Sequence, residues 1–334
     1  MKEIVSHYLA GLAPGEPQAY CNLAVVPLLA EDATREAYLL LDEALDQGVL
    51  TITEKDGAGS VPELRVENAS HLGVLILDGE ELVGAKQNRV VNTTLFLAAA
   101  STTVIPVSCV EEGRWSYDTP TFRSEKRMMN ADLRAMKADH VLASLHRSGR
   151  HHADQGAVWR GIAEMADRRG AFSPSGAMSA IHDEDQPLVK DYEKAFHPVP
   201  GQIGALFLLN GRAAGLEAFG RRDTFSRVFP KLLRSYTLDA VDRYDPAKEP
   251  PEPQKEARAF LEACGSARLE AFPAVGLGED GRLSSSRVVG FALALEKGVL
   301  HLSAFSKTSG NRTTTSRMNR FTARRRHMER DETK

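Results

Sequence analysis

Long apolar runs, paired cysteines and a surplus of one charge are all missing from this chain of 334 residues. No stretch approaches the roughly 18 apolar residues of a membrane-spanning helix, so no membrane span is expected. The three cysteines are odd in number and far apart, which argues against a disulfide framework or a zinc site. The start of the chain does not resemble a secretory signal. We therefore expect a cytoplasmic protein.

Several motifs that define enzyme classes are also missing. The sequence has no G-x-x-x-x-G-K-[ST] phosphate loop, no G-x-S-x-G nucleophile elbow and no G-x-G-x-x-G turn that opens a helix. Residues 151–154 (HHAD) and 182–185 (HDED) lack the spacing of metal ligands, and we interpret them as solvated loops or helix starts. The sequence predicts no metal site and identifies no cofactor.

The first third of the chain is β-rich. Residues 22–30 (NLAVVPLLA) predict a strand, and the spacing of apolar residues from Asp32 to Gln47 predicts an amphipathic helix. Runs rich in Val, Ile and Thr are separated by turn residues, which favours antiparallel hairpins over parallel crossovers. These predicted strands are 49–53, 63–66, 73–79, 89–97 and 103–111.

The second part alternates helical and β segments. A charged section, 124–196, predicts helices near 124–147, 152–168 and 184–195. The turn Asn210-Gly211 between two apolar runs predicts a hairpin over 203–219. Residues 224–243 predict a helix in which Pro230 allows a kink or two shorter helices. A helix over 254–264 and a hairpin or meander over 267–304 complete the pattern.

This order predicts an α+β fold, with mixed or antiparallel sheets and an inserted helical section. We expect one domain over 1–310, composed of a β-rich part (20–115), the helical section and a β/α part (201–305). The proline-rich segment 246–253 reads as a linker or surface excursion. Residues 311–334 hold seven Arg and one Lys against three acids and predict a disordered basic tail. Because the remainder of the chain is acidic, specific nucleic-acid binding is not favoured.

The densest group of polar residues lies between two apolar strands, in segment 77–92 (LDGEELVGAKQNRVVN). Arg presents a planar fork suited to phosphate or carboxylate, and a carboxylate such as Glu81 can serve in acid–base work when its environment shifts its pKa. Gly79 and Gly84 would let the backbone approach a ligand closely. The alternative is a hairpin whose charges face solvent. The candidate ligand-binding residues here are Lys86, Asn88 and Arg89.

A second polar group follows the apolar strand 103–111. Glu111 is a candidate acid or base, Arg114 a candidate phosphate ligand, and Trp115 a candidate stacking surface or a core anchor. Cys109 has no His nearby in the sequence, so a buried structural thiol is favoured over a nucleophile.

A third group, Glu217 with Arg221 to Arg227, follows the predicted hairpin. Asp223 or Thr224 suits a helix N-cap, and the neighbouring arginines suit an anion. The structural and ligand-binding interpretations stay open.

Three blocks of the sequence resemble a known family. DGEELVGAKQNR (78–89), IPVSCVEEGRW (105–115) and the segment 201–240 resemble the ARG and Rhodanese-Phosphatase-superfamily-associated Protein domain, a bacterial family. The resemblance spans roughly 5–305. At Glu217 this chain has the longer carboxylate where we expect Asp in the family pattern. The family's genomic association with ADP-ribosylglycohydrolase, rhodanese and phosphatase proteins implies, by analogy, a role beside ADP-ribose or NAD-derived metabolites.

Two hypotheses follow. The first is a domain that binds or processes a phosphate-bearing, ADP-ribose-like nucleotide, with Lys86, Arg89 and Arg114 on the phosphates, Trp115 on the base, and Glu81 or Glu111 as acid or base. The second is a non-catalytic scaffold or regulatory protein partner of neighbouring enzymes. A convergent, concave group of these side chains would favour the first, and charges dispersed over strand faces the second.

Overall fold

The computed structural model describes residues 1–55, 62–116, 118–184, 186–244, 252–296 and 298–307. Within these ranges the fold is α+β, with antiparallel and mixed sheets. The helices are α1 (Lys2–Gly11), α2 (Leu41–Asp46), α3 (Ala131–Ser148), α4 (Gln155–Arg169), α5 (Ser179–Glu184), α6 (Gln186–Ala195), α7 (Arg222–Asp242) and α8 (Pro253–Gly265).

The strands fall into three sheets. They are β1 (Ala13–Pro14), β2 (Gln18–Tyr20), β3 (Leu23–Leu29), β4 (Tyr38–Leu40), β5 (Leu50–Glu54), β6 (Glu63–Asn68), β7 (Gly73–Ile76), β8 (Glu80–Gly84), β9 (Arg89–Val91), β10 (Leu95–Leu97), β11 (Ser101–Cys109), β12 (Phe122–Met128), β13 (Gln202–Leu209), β14 (Arg212–Phe219), β15 (Arg268–Pro273), β16 (Glu279–Ser284), β17 (Val288–Leu295) and β18 (Gly298–Ser306).

The largest sheet is antiparallel and has the order β1-β3-β13-β14-β18-β17-β16-β15, with β2 also paired to β3. Successive side chains of a strand point to opposite faces. In β13, Phe207 therefore packs on one face with residues of α7, and Leu206 packs on the other face with residues of α1 and α8. Both faces of this sheet are covered, which explains why β13 is buried along its whole length.

The second large sheet has the order β12-β8-β9-β11-β6-β5. Its first and last strands, β12 and β5, also contact each other, so the sheet curls until its edges meet. Inward-facing side chains such as Ile52, Leu82 and Val107 share one apolar cluster with residues of the three-stranded sheet β10-β7-β4. We call these six strands the curled sheet.

Most predicted elements are confirmed. The strand over 22–30 is β3, the hairpin at Asn210-Gly211 joins β13 to β14, and the strands over 267–304 form the meander β15 to β18. Helix α7 runs through Pro230 without a break, so the alternative of two shorter helices is wrong. The predicted tail 311–334 and most of the predicted linker 246–253 lie outside the described residues.

Three predictions of secondary structure are wrong in part, each because a distant strand overrides the local pattern. The predicted helix Asp32–Gln47 is shortened to α2, because β4 pairs in parallel with β7. The predicted helix 124–147 begins only at Ala131, because the preceding residues pair with β8 as β12. The predicted strand 89–97 divides into β9 and β10, which belong to different sheets.

A network of buried charges joins the two large sheets through α3. The Arg134 guanidinium donates to Asp78 Oδ2 at 3.1 Å and to Glu217 Oε1 at 2.6 Å, and all three side chains are fully buried. Lys137, one turn later, donates to the other oxygen of Asp78 and to the carbonyl of Val91. Asp78 precedes β8 and Glu217 lies in β14, so these bonds connect the curled sheet to the largest sheet.

The environment of Glu217 keeps its carboxylate ionised. Burial alone would raise its pKa, but the charge of Arg134 and the hydrogen bond with His301 outweigh burial and lower the pKa to about 2. Tyr236 also donates to Glu217 at 3.1 Å. The longer carboxylate at this position therefore belongs to the interior of the fold.

Removing Arg134 should destabilise the protein strongly. In Arg134→Ala, Asp78 and Glu217 lose a shared buried partner, which costs about 3–5 kcal/mol of unfolding free energy. Urea unfolding followed by circular dichroism measures this change. The matched control is Arg212→Ala at an exposed position of β14, expected within about 0.5 kcal/mol of wild type. Equal, small losses in both variants would contradict the structural role of the network.

Candidate functional site

The segment 77–92 forms the β8–β9 hairpin of the curled sheet, and its polar side chains are buried. The interpretation of a hairpin with solvated charges is therefore wrong. The buried polar residues of the segment, each less than a tenth exposed, are Asp78, Glu80, Glu81, Lys86, Gln87, Asn88, Arg89 and Asn92. Buried charges require partners, so the contacts of each one decide what it can do.

The two glycines of this segment make room for protein groups. Gly79 has a φ of 82°, and a Cβ there would lie 2.8 Å from the side chain of Arg134. Gly84 has a φ of 125°, and a Cβ there would lie 2.4 Å from the Thr119 hydroxyl. The close approaches expected for a ligand are thus made by Arg134 and by the loop before β12.

Glu80 takes part in a further buried ion pair. Lys231 of α7 donates to Glu80 Oε1 at 2.6 Å and to Asp42 Oδ2 at 2.5 Å. The backbone N–H of Leu77 donates to the other oxygen of Glu80 at 2.8 Å. With Asp78 and Glu80 both bound to helices, the start of the hairpin is fixed in place.

Glu111 and Arg114 fix the other end of the hairpin. Arg114 donates from Nε to Glu111 Oε2 at 2.9 Å, from one terminal nitrogen to the carbonyl of Ala85 at 2.8 Å, and from the other to Asn88 Oδ1 at 3.1 Å. Glu111 Oε1 accepts from the Ser175 hydroxyl at 2.7 Å. Burial opposes ionisation of Glu111, but these hydrogen bonds outweigh it and lower its pKa.

Trp115 follows Arg114 in the sequence, and its side chain is about half exposed. Two cations lie close to its ring, with Lys86 Nζ 5.4 Å and the Arg89 guanidinium carbon 5.8 Å from the ring centroid. Such separations are typical of cation–π contacts. The structure therefore brings together three of the predicted ligand-binding residues, Lys86, Arg89 and Trp115. Glu54 lies 3.8 Å from Arg89, and we call these four residues the Trp115 site.

Arg89 is the most unusual group of this site. Its side chain is fully buried, and one terminal nitrogen donates to Gln87 Oε1 at 3.0 Å. Its Nε and its other terminal nitrogen make no hydrogen bond to any described residue, and the nearest carboxylate oxygen, of Glu54, is 3.8 Å away. Burial lowers the pKa of Arg89. A buried guanidinium with unused donors would be stabilised by an anionic acceptor.

Glu54 is a site residue that our sequence interpretation missed. It ends β5, where Leu50 and Ile52 also face the interior of the curled sheet. Its Oε1 accepts from the backbone N–H of Lys86 at 3.4 Å, and its Oε2 has no partner among the described residues. The alternation of buried residues in β5 indicates that Glu54 faces the interior. It does not indicate that Arg89, which is distant in the sequence, lies beside it.

Cys109 is a buried thiol next to Arg89. Its Sγ donates to Gln87 Oε1 at 3.0 Å, and burial raises its pKa, so the thiolate is disfavoured. Gln155 of α4 makes two hydrogen bonds to the Cys109 backbone. These contacts support a structural role.

Glu81 lies on the opposite face of the sheet from Arg89. In the β8–β9 register Glu81 pairs with Val90, and Arg89 pairs with Leu82. Paired residues share a face and neighbours along a strand do not. Val90 packs with α4 and α5, whereas Leu82 faces the interior of the curled sheet. The two residues predicted to act together in one site are therefore separated by the sheet.

The environment of Glu81 perturbs its titration. Neither carboxylate oxygen has a hydrogen-bond partner among the described residues, and burial raises its pKa to about 7 although the charge of Arg127 opposes this. The ring of His182 in α5 is also buried, and neither ring nitrogen has a hydrogen-bond partner among the described residues. Burial and the nearby arginines lower the pKa of this ring to about 3. His182 is thus not in a solvated loop.

The remaining predicted groups have structural contacts. His151 is buried and lies 2.7 Å from Asp280, so it is not solvated. The helix-start alternative for 151–154 is confirmed, because Asp154 is the N-cap of α4 and accepts from the backbone N–H of Ala157 at 2.9 Å. At the start of α7, Arg221 is paired with Asp223, and Arg222 with Glu31 and Asp32. The described part of the chain holds no group of three or more His, Cys, Asp and Glu side chains arranged to bind a metal ion. None of the described helices is long and apolar enough to cross a membrane.

The protein is thus of the α+β class, with a polar hairpin buried in a curled sheet. Residues 11–305 match the ARG and Rhodanese-Phosphatase-superfamily-associated Protein domain, and the chain belongs to this family. Neither the curated proteins nor the solved structures contain a significant match.

The buried carboxylate of Glu81 should make stability depend on pH. Its pKa of about 7 exceeds the ordinary value of 4.5, so the folded state keeps a proton that the unfolded state releases between these values. The protonated Glu81 carboxyl contributes its full share to the unfolding free energy below about pH 4.5, and this contribution is lost as the pH rises to 7. Relative to wild type, Glu81→Gln should gain about 3 kcal/mol between pH 4.5 and pH 8.

Chemical unfolding at several pH values measures this gain. The matched control is Glu67→Gln at an exposed position of β6, and it should show no such trend. A constant difference between Glu81→Gln and wild type across this range would show that Glu81 titrates normally.

Proposed function

We propose that this protein binds a phosphate-bearing nucleotide of the ADP-ribose or NAD-derived class at the Trp115 site. The observation that carries the proposal is the buried Arg89 guanidinium, which lies beside a half-exposed indole and has two nitrogens without a hydrogen-bond partner among the described residues. Arg89 and Lys86 bind the phosphate, and Trp115 stacks on the base. Base–aromatic stacking and charge-assisted hydrogen bonds to phosphate are the interactions that nucleotides offer.

The pairing of charges at the site also supports an anionic ligand. Arg114 is paired with Glu111 at 2.7 Å, whereas Arg89 lies 3.8 Å from Glu54, too far for a hydrogen bond. Since the interior of a curled sheet screens charge poorly, a buried cation at this distance from its counter-charge attracts an anion more strongly than a cation on an open surface.

The contacts support different roles for two groups of the predicted residues. Arg114 uses its donors on protein oxygens, and Glu111 is bound by Arg114, Ser175 and the backbone of Asn88. We propose that Arg114, Glu111 and Asn88 position the loop that carries Trp115 and do not contact the phosphate. Glu81 lies on the opposite face of the sheet, so we assign it no contact with a ligand at the Trp115 site.

A scaffold or regulatory role is the second candidate. Phe172 is 83 % exposed, and its loop is joined to the Trp115 loop through the hydrogen bond from Gly113 N–H to the Ser175 carbonyl. Exposed aromatic residues are common in protein interfaces. On this reading Trp115 and Phe172 contact a protein partner, and nucleotides have no effect.

Fluorescence of Trp115 tests the nucleotide proposal. The chain has two tryptophans, so Trp159→Phe leaves Trp115 as the only indole. Titration with ADP-ribose, NAD or ADP should change its emission. A ligand at about 100 times its Kd should also stabilise the protein by about 2.7 kcal/mol in thermal unfolding.

Calorimetric titration of two variants provides the matched comparison. Trp115→Ala should weaken binding roughly 5- to 150-fold, the equivalent of about 1–3 kcal/mol of base stacking. Tyr244→Ala removes an equally exposed aromatic ring at the end of α7 and should leave affinity unchanged. Unchanged emission and stability with all three compounds would contradict the nucleotide proposal and favour a protein partner.

A further inference from the structure

Glu54 and Arg89 form an ion pair that is too long for a hydrogen bond. Their closest atoms, Glu54 Oε1 and Arg89 Nη2, are 3.8 Å apart, and both side chains are buried. Glu54 Oε2 and two guanidinium nitrogens of Arg89 have no hydrogen-bond partner among the described residues. Buried polar atoms are normally satisfied, so an acceptor and two donors left open side by side require explanation.

The position of this pair favours a bound molecule as the explanation. Glu54 and Arg89 come from strands on different parts of the curled sheet, β5 and β9, and both face its interior. Trp115 lies against Arg89 at the surface of the protein. Small-molecule sites combine mostly apolar walls with a few polar groups, and the apolar cluster of the curled sheet supplies such surroundings for this pair.

The open atoms limit the chemistry of the ligand. Arg89 offers donors and requires an acceptor, whereas the Glu54 carboxylate offers only acceptors and requires a donor. A bare anion such as inorganic phosphate would satisfy Arg89 but would be repelled by Glu54. A sugar phosphate supplies both, because its phosphate accepts from Arg89 and its hydroxyl groups donate to Glu54.

We propose that Glu54 accepts hydrogen bonds from the ribose diol of the ligand and thereby selects ribonucleotides. This inference rests on the proposed nucleotide function, since it assigns the phosphate of the same ligand to Arg89. It identifies Glu54 as a specificity residue that distinguishes a ribose with free hydroxyl groups from deoxyribose and from free phosphate.

A comparison of ligands with and without these hydroxyls tests the assignment. Calorimetric titration of the wild-type protein should give ADP an affinity about 10- to 100-fold higher than 2′-deoxy-ADP or 3′-deoxy-ADP, as expected for a hydrogen bond to a charged group. In Glu54→Gln this preference should fall at least fivefold. Glu67→Gln, at an exposed position of the neighbouring strand β6, should keep the wild-type preference.

The outcomes separate the two proposals. Equal binding of ADP and both deoxy analogues to the wild type would overturn the role of Glu54 while leaving nucleotide binding intact. If Glu54→Gln keeps the preference for ADP over the deoxy analogues, a residue other than Glu54 recognises the ribose hydroxyls. No binding of any nucleotide to the wild type would overturn the proposed function itself.

Folding of the variants is verified by circular dichroism. If Glu54→Gln does not fold, Glu54→Asp retains the charge beside Arg89 but withdraws the carboxylate from the ligand. That variant should show a reduced ribose preference with little change in affinity for 2′-deoxy-ADP. An unreduced preference in Glu54→Asp would likewise contradict the assignment.

Discussion

The Arg134 guanidinium, held between the carboxylates of Asp78 and Glu217 without access to water, is the interaction on which the rest of the structure depends. It joins α3 to the curled sheet on one side and to the largest sheet on the other. Such a group is stable only while every partner is present, because a buried charge without its counter-charge is very costly. This requirement fixes the start of the β8–β9 hairpin and with it the orientation of Arg89.

The buried polar groups at the two ends of the β8–β9 hairpin are hydrogen-bonded to the rest of the protein. Lys231 holds Glu80 at one end, and Arg114 binds Glu111 and Asn88 at the other. Arg89 of β9 and Glu54 of β5 are also buried, but two nitrogens of Arg89 and one oxygen of Glu54 have no hydrogen-bond partner among the described residues. Folded proteins satisfy nearly all buried polar atoms, and the ligand contacts that we propose would satisfy those of Arg89 and Glu54. Glu81, on the opposite face of the same hairpin, is a further exception among the described residues.

Sequence patterns predicted the elements whose signals are local. The turn Asn210-Gly211 and the apolar strands of the meander carry their own evidence, whereas β4 and β12 depend on distant pairing partners that periodicity does not reveal. At the site, the adjacency of Lys86, Arg89 and Trp115 was anticipated from the dense polar segments. The burial of Arg134 was not, because arginines on an amphipathic helix usually face solvent. Glu54 and the separation of Glu81 from Arg89 follow from strand register, which the sequence leaves undetermined.

The central claim is that Arg89 binds the phosphate of a nucleotide. A crystal structure of the protein with ADP-ribose bound tests this claim most directly. The account predicts a phosphate oxygen within hydrogen-bond distance of Arg89 Nε or Nη2, with the adenine ring stacked on Trp115. A complex in which the nucleotide binds elsewhere and Arg89 keeps its open donors would contradict it.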